Sequence, residues 1–205
     1  MKKLMFNDKY GLTQAVLEGR KTMTRRSISE DVWQRADVYR HIYYEDTLDV
    51  LPWKEALIES SSFKVGEAVA VAQRYKDIRD IIGDIQDGKS IKSMAGWNNK
   101  MFVRADLMPH QIRITNVRVE RLQDISEEDC LREGIYKRDP APGVRALFAY
   151  DTTQDQDGHT LATTWYTTAR GAFSGLIDKV SGKGTWGDNP WALVYEFELI
   201  KEGEK

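Results

Sequence analysis

The chain has 205 residues, 41% of them hydrophobic and 30% charged, with a formal net charge of −2. That is enough apolar content for one good core, and one domain spanning residues 1–205 is the expectation. There is no global polycation, so nucleic-acid binding has to rest on a local patch.

The first 26 residues hold seven basic side chains against two acids, so a basic N-terminal corner sits on an otherwise acidic chain. The lone cysteine, Cys130, excludes an internal disulfide. After Lys2-Lys3 the apolar run Leu4-Met5-Phe6 is too short for a signal segment, and no stretch is long enough to span a membrane. A cytoplasmic setting is expected.

In chain order, Leu4–Phe6 reads as a first strand. Asn7 or Asp8 can cap a short helix with the stripe Leu12, Ala15, Val16. Gly19 stands where a left-handed helix stop costs least. It opens Gly19-Arg20-Lys21-Thr22-Met23-Thr24-Arg25-Arg26, which delivers an amine, two hydroxyls and three guanidiniums at one helix end.

Residues 27–62 read as an insertion, with Ser29 capping a helix that carries Val32, Ala36, Val38 and Tyr39. Lys64-Val65-Gly66-Glu67 turns into a strand at Ala68–Ala72, where valines alternate with alanines. Residues 76–100 read as polar and helix-prone, then looped, and Met101–Leu107 reads as a strand.

Ile112 to Leu122 is the longest strand signal. Its apolar parity switches at Thr115-Asn116, which predicts a β-bulge. Ser126 with Asp129 then resembles a capping box for a helix stopping at Glu133-Gly134. Residues 136–165 read as a second insertion, a long loop or hairpin. Phe173, Leu176, Ile177 and Val180 mark a helix face ended by Gly182-Lys183-Gly184. A final strand carries Leu193, Tyr195 and Phe197 opposite Glu196 and Glu198. Short strands, a bulge and a few helices together predict a small α+β barrel.

With these residues in place, the chain resembles the ASCH family of the PUA-like superfamily. The resemblance rests on the Gly19–Arg26 run, on Lys64-Val65-Gly66-Glu67, on the Val117–Asp129 stretch ending Arg132-Glu133-Gly134, and on a tail from Gly182 to Trp191 like that of larger phage and prophage members. It implies a PUA-like β-barrel with flanking helices. A small bacterial member hydrolyses the amide of N(4)-acetylcytidine, and by motif position its catalytic residues fall on Lys21, Thr24 and Glu133. The implied partner is a nucleoside or RNA, with no cofactor.

The residue chemistry allows more than one reading. Thr24 can attack an acyl carbon if a base is adjacent. Lys21 can serve as that base if burial and Arg20, Arg25 and Arg26 lower its pKa. Glu133, at a helix C-terminus where the dipole raises a carboxyl pKa, then shuttles a proton to the leaving amine. Alternatively Glu133 is the base and Lys21 stabilises the oxyanion. The same residues also fit a structural ion pair joining two helix ends.

A non-catalytic RNA-binding module would use Arg20, Arg25 and Arg26 on phosphate. A phage accessory role would involve a protein target instead. Trp186 and Trp191, with Tyr75, are the candidate groove walls for stacking; Trp97 and Trp165 are weaker ones. His41, His110 and His159 lack ligand spacing, so no metal is expected. Cys130 reads as a packing residue.

Overall fold

The computed structural model describes residues 1–44, 53–139, 143, 145–150, 152–154, 160–162 and 164–200. The Asp46–Asp49 stretch, Pro140, Pro142, Gly158 and His159 lie outside them.

The elements run β1 (Lys3–Leu4), α1 (Leu12–Leu17), β2 (Met23–Ser27), α2 (Glu30–Tyr44), α3 (Trp53–Glu59), β3 (Ala68–Val71), α4 (Arg79–Ile82), β4 (Ile85–Gln86), β5 (Lys89–Ser90) and β6 (Gln111–Arg121). They continue as α5 (Glu127–Arg132), β7 (Tyr136–Arg138), β8 (Leu147–Ala149), β9 (Thr152–Gln154), β10 (Thr160–Ala162), α6 (Ala169–Val180), α7 (Thr185–Asp188) and β11 (Trp191–Leu199). The chain is therefore mixed α+β.

Five strands form the main sheet, in the order β1-β3-β6-β11-β2. The pairs are antiparallel except β1 with β3. The sheet is open rather than the closed barrel expected from the sequence. Its edge strands, β1 and β2, share no ladder. They are linked instead by a side chain, the Arg26 guanidinium donating to the Met5 carbonyl. The cavity described below lies beside this link.

The bulge falls where the parity switch predicts it. Glu196 pairs with Asn116 and Phe197 with Ile114, which leaves Thr115 unmatched on β6. The extra residue keeps Ile112, Ile114, Val117 and Val119 all buried despite the change of register.

Leu193, Tyr195 and Phe197 of β11 pack into the same core with Phe6, Val16, Cys130 and Phe173. Val69 and Val71 of β3 join that core. The intervening Ala70, with Ala72, backs a second, smaller cluster with Tyr75, Ile78, Ile91, Val103 and Met108. The alanines are small because the 75–108 segment packs against that face.

Several local expectations need correction. Asn7 caps a 3-10 turn over Asp8–Tyr10, and α1 starts after Gly11. Met101–Leu107 is two 3-10 turns, Lys100–Phe102 and Ala105–Leu107, because its apolar residues fold onto the second cluster rather than alternate across a ladder. Val38 and Val180 are exposed, while Val32, Ala36, Phe173, Leu176 and Ile177 are buried. The 27–62 segment supplies α2 and α3, which pack together. The 136–165 segment supplies two antiparallel pairs, β7 with β8 and β9 with β10.

Two helix ends position the site. Gly19 after α1 and Gly134 after α5 both take positive φ, 72° and 101°. After α5, Ile135 N donates to Cys130 O and Gly134 N to Leu131 O, closing a Schellman motif. Thr22 N donates to Arg132 O at 2.9 Å and ties the two ends together.

A Cβ on Gly134 would sit 3.3 Å from Leu12 Cδ2 and 3.5 Å from Lys21 Cδ, in a backbone conformation that side chains avoid. Gly134→Ala is therefore expected to lower stability by about 1–3 kcal/mol in urea unfolding. A loss under about 0.5 kcal/mol, the level of an ordinary surface change, would show that the turn is not so constrained.

Candidate functional site

The two joined helix ends bring Lys21 and Glu133 into contact. Lys21 Nζ lies 2.7 Å from Glu133 Oε2 and also donates to the Glu133 backbone carbonyl at 2.7 Å. That carbonyl belongs to the end of α5, where a cation is favoured. The Phe6 ring lies 5.8 Å from the ammonium. Both partners are sealed from solvent, with Lys21 2% exposed and Glu133 4%. A charge so deeply buried has to be paired.

A second cation holds the other carboxylate oxygen. Arg25 Nη1 donates to Glu133 Oε1 at 3.2 Å. Its Nη2 reaches Glu120 Oε2 at 2.9 Å and Asp129 Oδ2 at 3.2 Å.

The register explains this reach. Thr24 and Arg26 pair with Tyr195 and Leu193, whose side chains enter the core, so they face inward. Arg25 faces the opposite side, under α5. There Arg118 and Arg132 also engage Asp129 and Glu196. Asp129 and Glu133, four residues apart, present two carboxylates from one side of α5.

Thr24, 5% exposed, lines a cavity of about 220 Å³ together with Lys21, Arg25, Arg26 and Glu133. Its hydroxyl makes no hydrogen bond to any described residue. Phe6 and Leu12 form one apolar wall of the cavity, and Phe173, Leu176, Ile177 and Val180 of α6 form another.

Burial pushes the Lys21 ammonium below the ordinary lysine range. The Glu133 carboxylate pulls the other way, while Arg26 and Arg25 add to the depression. Burial likewise lowers the Arg26 pKa, against Glu133 and Tyr195.

Five of the nine candidate residues thus share one cavity: Lys21, Thr24, Arg25, Arg26 and Glu133. The other four do not. Arg20 is exposed and pairs with Glu18 at 2.7 Å. Tyr75 is a core residue, 1% exposed, and its hydroxyl accepts from Arg104 N. It packs so closely that a Cβ on Gly96 would come within 2.5 Å of its ring, so it walls no groove.

Trp186 packs edge-on against Phe173 with Arg170 over its ring. Trp191 lies between Trp53, at 4.6 Å, and the Arg121 guanidinium, at 4.2 Å. Neither tryptophan lines the cavity: Trp186 stands behind the wall residue Phe173, and Trp191 is taken up by Trp53 and Arg121.

Arg25 also departs from the phosphate-contact reading, since its guanidinium is held by three carboxylates. The Cys130 thiol is pushed up to about 12, chiefly by burial and then by Glu127, in keeping with a packing role. Among the described residues there is no group of three His, Cys, Asp or Glu that could hold a metal ion, and no helix long and apolar enough to cross a membrane.

Sequence reasoning missed Glu120, Asp129 and the α6 wall. The signal for Glu120 was present in its parity with Arg118, on the face opposite Val117 and Val119. Comparison with protein-family models, with curated proteins and with solved structures finds no match.

The two partners of the buried pair are not equivalent. Removing Glu133 leaves Lys21 with no carboxylate, whereas removing Lys21 leaves Glu133 still paired with Arg25. Glu133→Gln is therefore expected to cost about 3–5 kcal/mol in chemical denaturation, and Lys21→Met distinctly less. The reverse order would contradict this electrostatic arrangement.

Proposed function

We propose that the cavity binds an acylated nucleobase or nucleoside and that Lys21, Thr24 and Glu133 hydrolyse its amide, with N(4)-acetylcytidine as the reference substrate. The observation that carries this reading is a Thr24 hydroxyl with no hydrogen-bond partner among the described residues, in the same cavity as a buried lysine–glutamate pair. A structural ion pair alone accounts for Lys21 and Glu133. It gives no reason for Thr24 to line a cavity beside them without a described partner for its hydroxyl.

In the reaction, Thr24 Oγ attacks the acyl carbon, and its proton passes to the Lys21–Glu133 pair. Collapse of the tetrahedral intermediate breaks the C–N bond, and the pair returns that proton to the leaving amine. Water then cleaves the Thr24 ester, releasing a carboxylic acid and restoring the hydroxyl. The lowered Lys21 pKa suits this exchange, because the amine can lose and regain a proton more readily than an ordinary lysine.

The cavity volume is below the about 300–1,000 Å³ of sites for drug-sized ligands. It suits a base and its acyl group, with a ribose left at the mouth. The ASCH, PUA-like membership belongs to the same proposal. It is supported by the bulged long strand, the helix end after it and the Lys-Thr corner facing that end. A phosphate-gripping RNA module is less well supported. Of its three arginines, Arg25 is engaged by carboxylates and Arg20 is paired with Glu18, which leaves Arg26 alone for such a contact.

Purified protein incubated with N(4)-acetylcytidine is expected to release cytidine, followed by chromatography. Lys21→Ala and Thr24→Val are expected to slow release at least about 100-fold with the fold retained. In the wild type, kcat/KM is expected to rise with pH through an apparent pKa below 10.5, the ordinary lysine value, as Lys21 loses its proton. Unchanged turnover in Lys21→Ala would remove the amine from the mechanism.

A further inference from the structure

Arg26 is the one cation lining the cavity that makes no ion pair with a described residue, although it feels the charge of Glu133. Lys21 and Arg25 each hold an oxygen of Glu133, and Arg25 is shared with Glu120 and Asp129 as well. Arg26 has no carboxylate within ion-pair distance among the described residues. Its hydrogen bond to the protein runs from Nη2 to the Met5 carbonyl.

Among the described residues the sealed Nε of Arg26 has no acceptor, and Nη2 to Met5 O is the guanidinium's one hydrogen bond. A guanidinium carries five N–H donors, so most of this one is unspent. Held at the edge of a cavity and partly withdrawn from water, an unpaired guanidinium is an unfavourable arrangement until an anion meets it.

The cavity around Arg26 limits what that anion can be. Its volume is about 220 Å³, and the α6 side chains Leu176, Ile177 and Val180 make one wall apolar. A small acid with a short hydrocarbon part fits both features. The carboxylate meets the guanidinium, and the hydrocarbon lies against α6.

We infer that Arg26 forms a subsite for a short aliphatic carboxylate such as acetate. Its link to catalysis rests on the hydrolase reading above. Amide hydrolysis keeps the carbonyl oxygen of the substrate as one of the two oxygens of the product acid. A donor that meets the oxyanion of the tetrahedral intermediate therefore also meets the product. Arg26 is the side chain left over for that oxygen, because Lys21 and Arg25 are engaged by Glu133. The acyl half of the substrate accordingly points toward Arg26 and α6, and the amine half toward the open side.

The test is calorimetric titration of the whole protein with sodium acetate and with acetamide, its neutral counterpart, at constant ionic strength. Wild-type protein is expected to bind acetate and not acetamide. R26K keeps the charge and is expected to retain acetate binding. R26Q can still donate to Met5 but has no charge, and is expected to weaken acetate at least about tenfold, as loss of a charge-assisted contact should.

Equal acetate affinity in R26Q and wild type would overturn the subsite. So would a wild type that fails to distinguish acetate from acetamide, a comparison that needs no variant to fold. Acetate binding that depends on Arg26, without turnover of N(4)-acetylcytidine, would keep the subsite and remove the hydrolase reading. Turnover with acetate binding indifferent to Arg26 would do the reverse.

Discussion

A lysine and a glutamate, both buried, meet where two helices end, and the site depends on that contact. The Lys21 ammonium depends on Glu133 for its counter-charge, whereas Glu133 is shared between Lys21 and Arg25. Their meeting requires two left-handed glycines, one closing each helix, and a backbone hydrogen bond from Thr22 to Arg132. It also requires Arg25 on the far oxygen of Glu133. From Arg25 the ion network spreads over the outer face of the sheet through Glu120, Asp129, Arg118, Glu196 and Arg132. The outer face is thus locked by charge, and the inner face by the apolar core.

The open sheet accounts for the cavity. A closed ladder between β1 and β2 would satisfy the edge backbone and fill the gap with side chains. Here one arginine spans the gap, with α6 covering one side. An amine, a hydroxyl and a carboxylate are left beside a small volume with apolar walls from Phe6, Leu12 and α6. In such a volume, charge–charge and hydrogen-bond contacts act more strongly than in water.

Much of the scaffold was legible in the sequence, because its signals are local. Gly19 and Gly134 stop helices, Ser126 caps α5 through Asp129 N, and the parity switch at Thr115 marks the bulge. The corner residues Lys21 and Thr24 could be picked out because a helix stop stood next to them. What could not be read was orientation. Arg25 and Arg26 are adjacent and chemically identical, yet strand parity sends one to three carboxylates and the other across the sheet gap. That assignment needs the β2–β11 register, which is a long-range pairing. Tyr75 was misread for a similar reason. Its place in a second core depends on Gly96 and on the 75–108 segment folding back onto β3.

The most direct test of the central claim is an NMR titration of the Lys21 side chain, following its Cε resonance through the alkaline range in the intact protein. Burial beside Arg25 and Arg26 predicts a midpoint below the 10.5 of an ordinary lysine, despite the Glu133 carboxylate. A midpoint at or above 10.5 would mean that the pair is a plain structural salt bridge, with no amine available to exchange protons in the cavity.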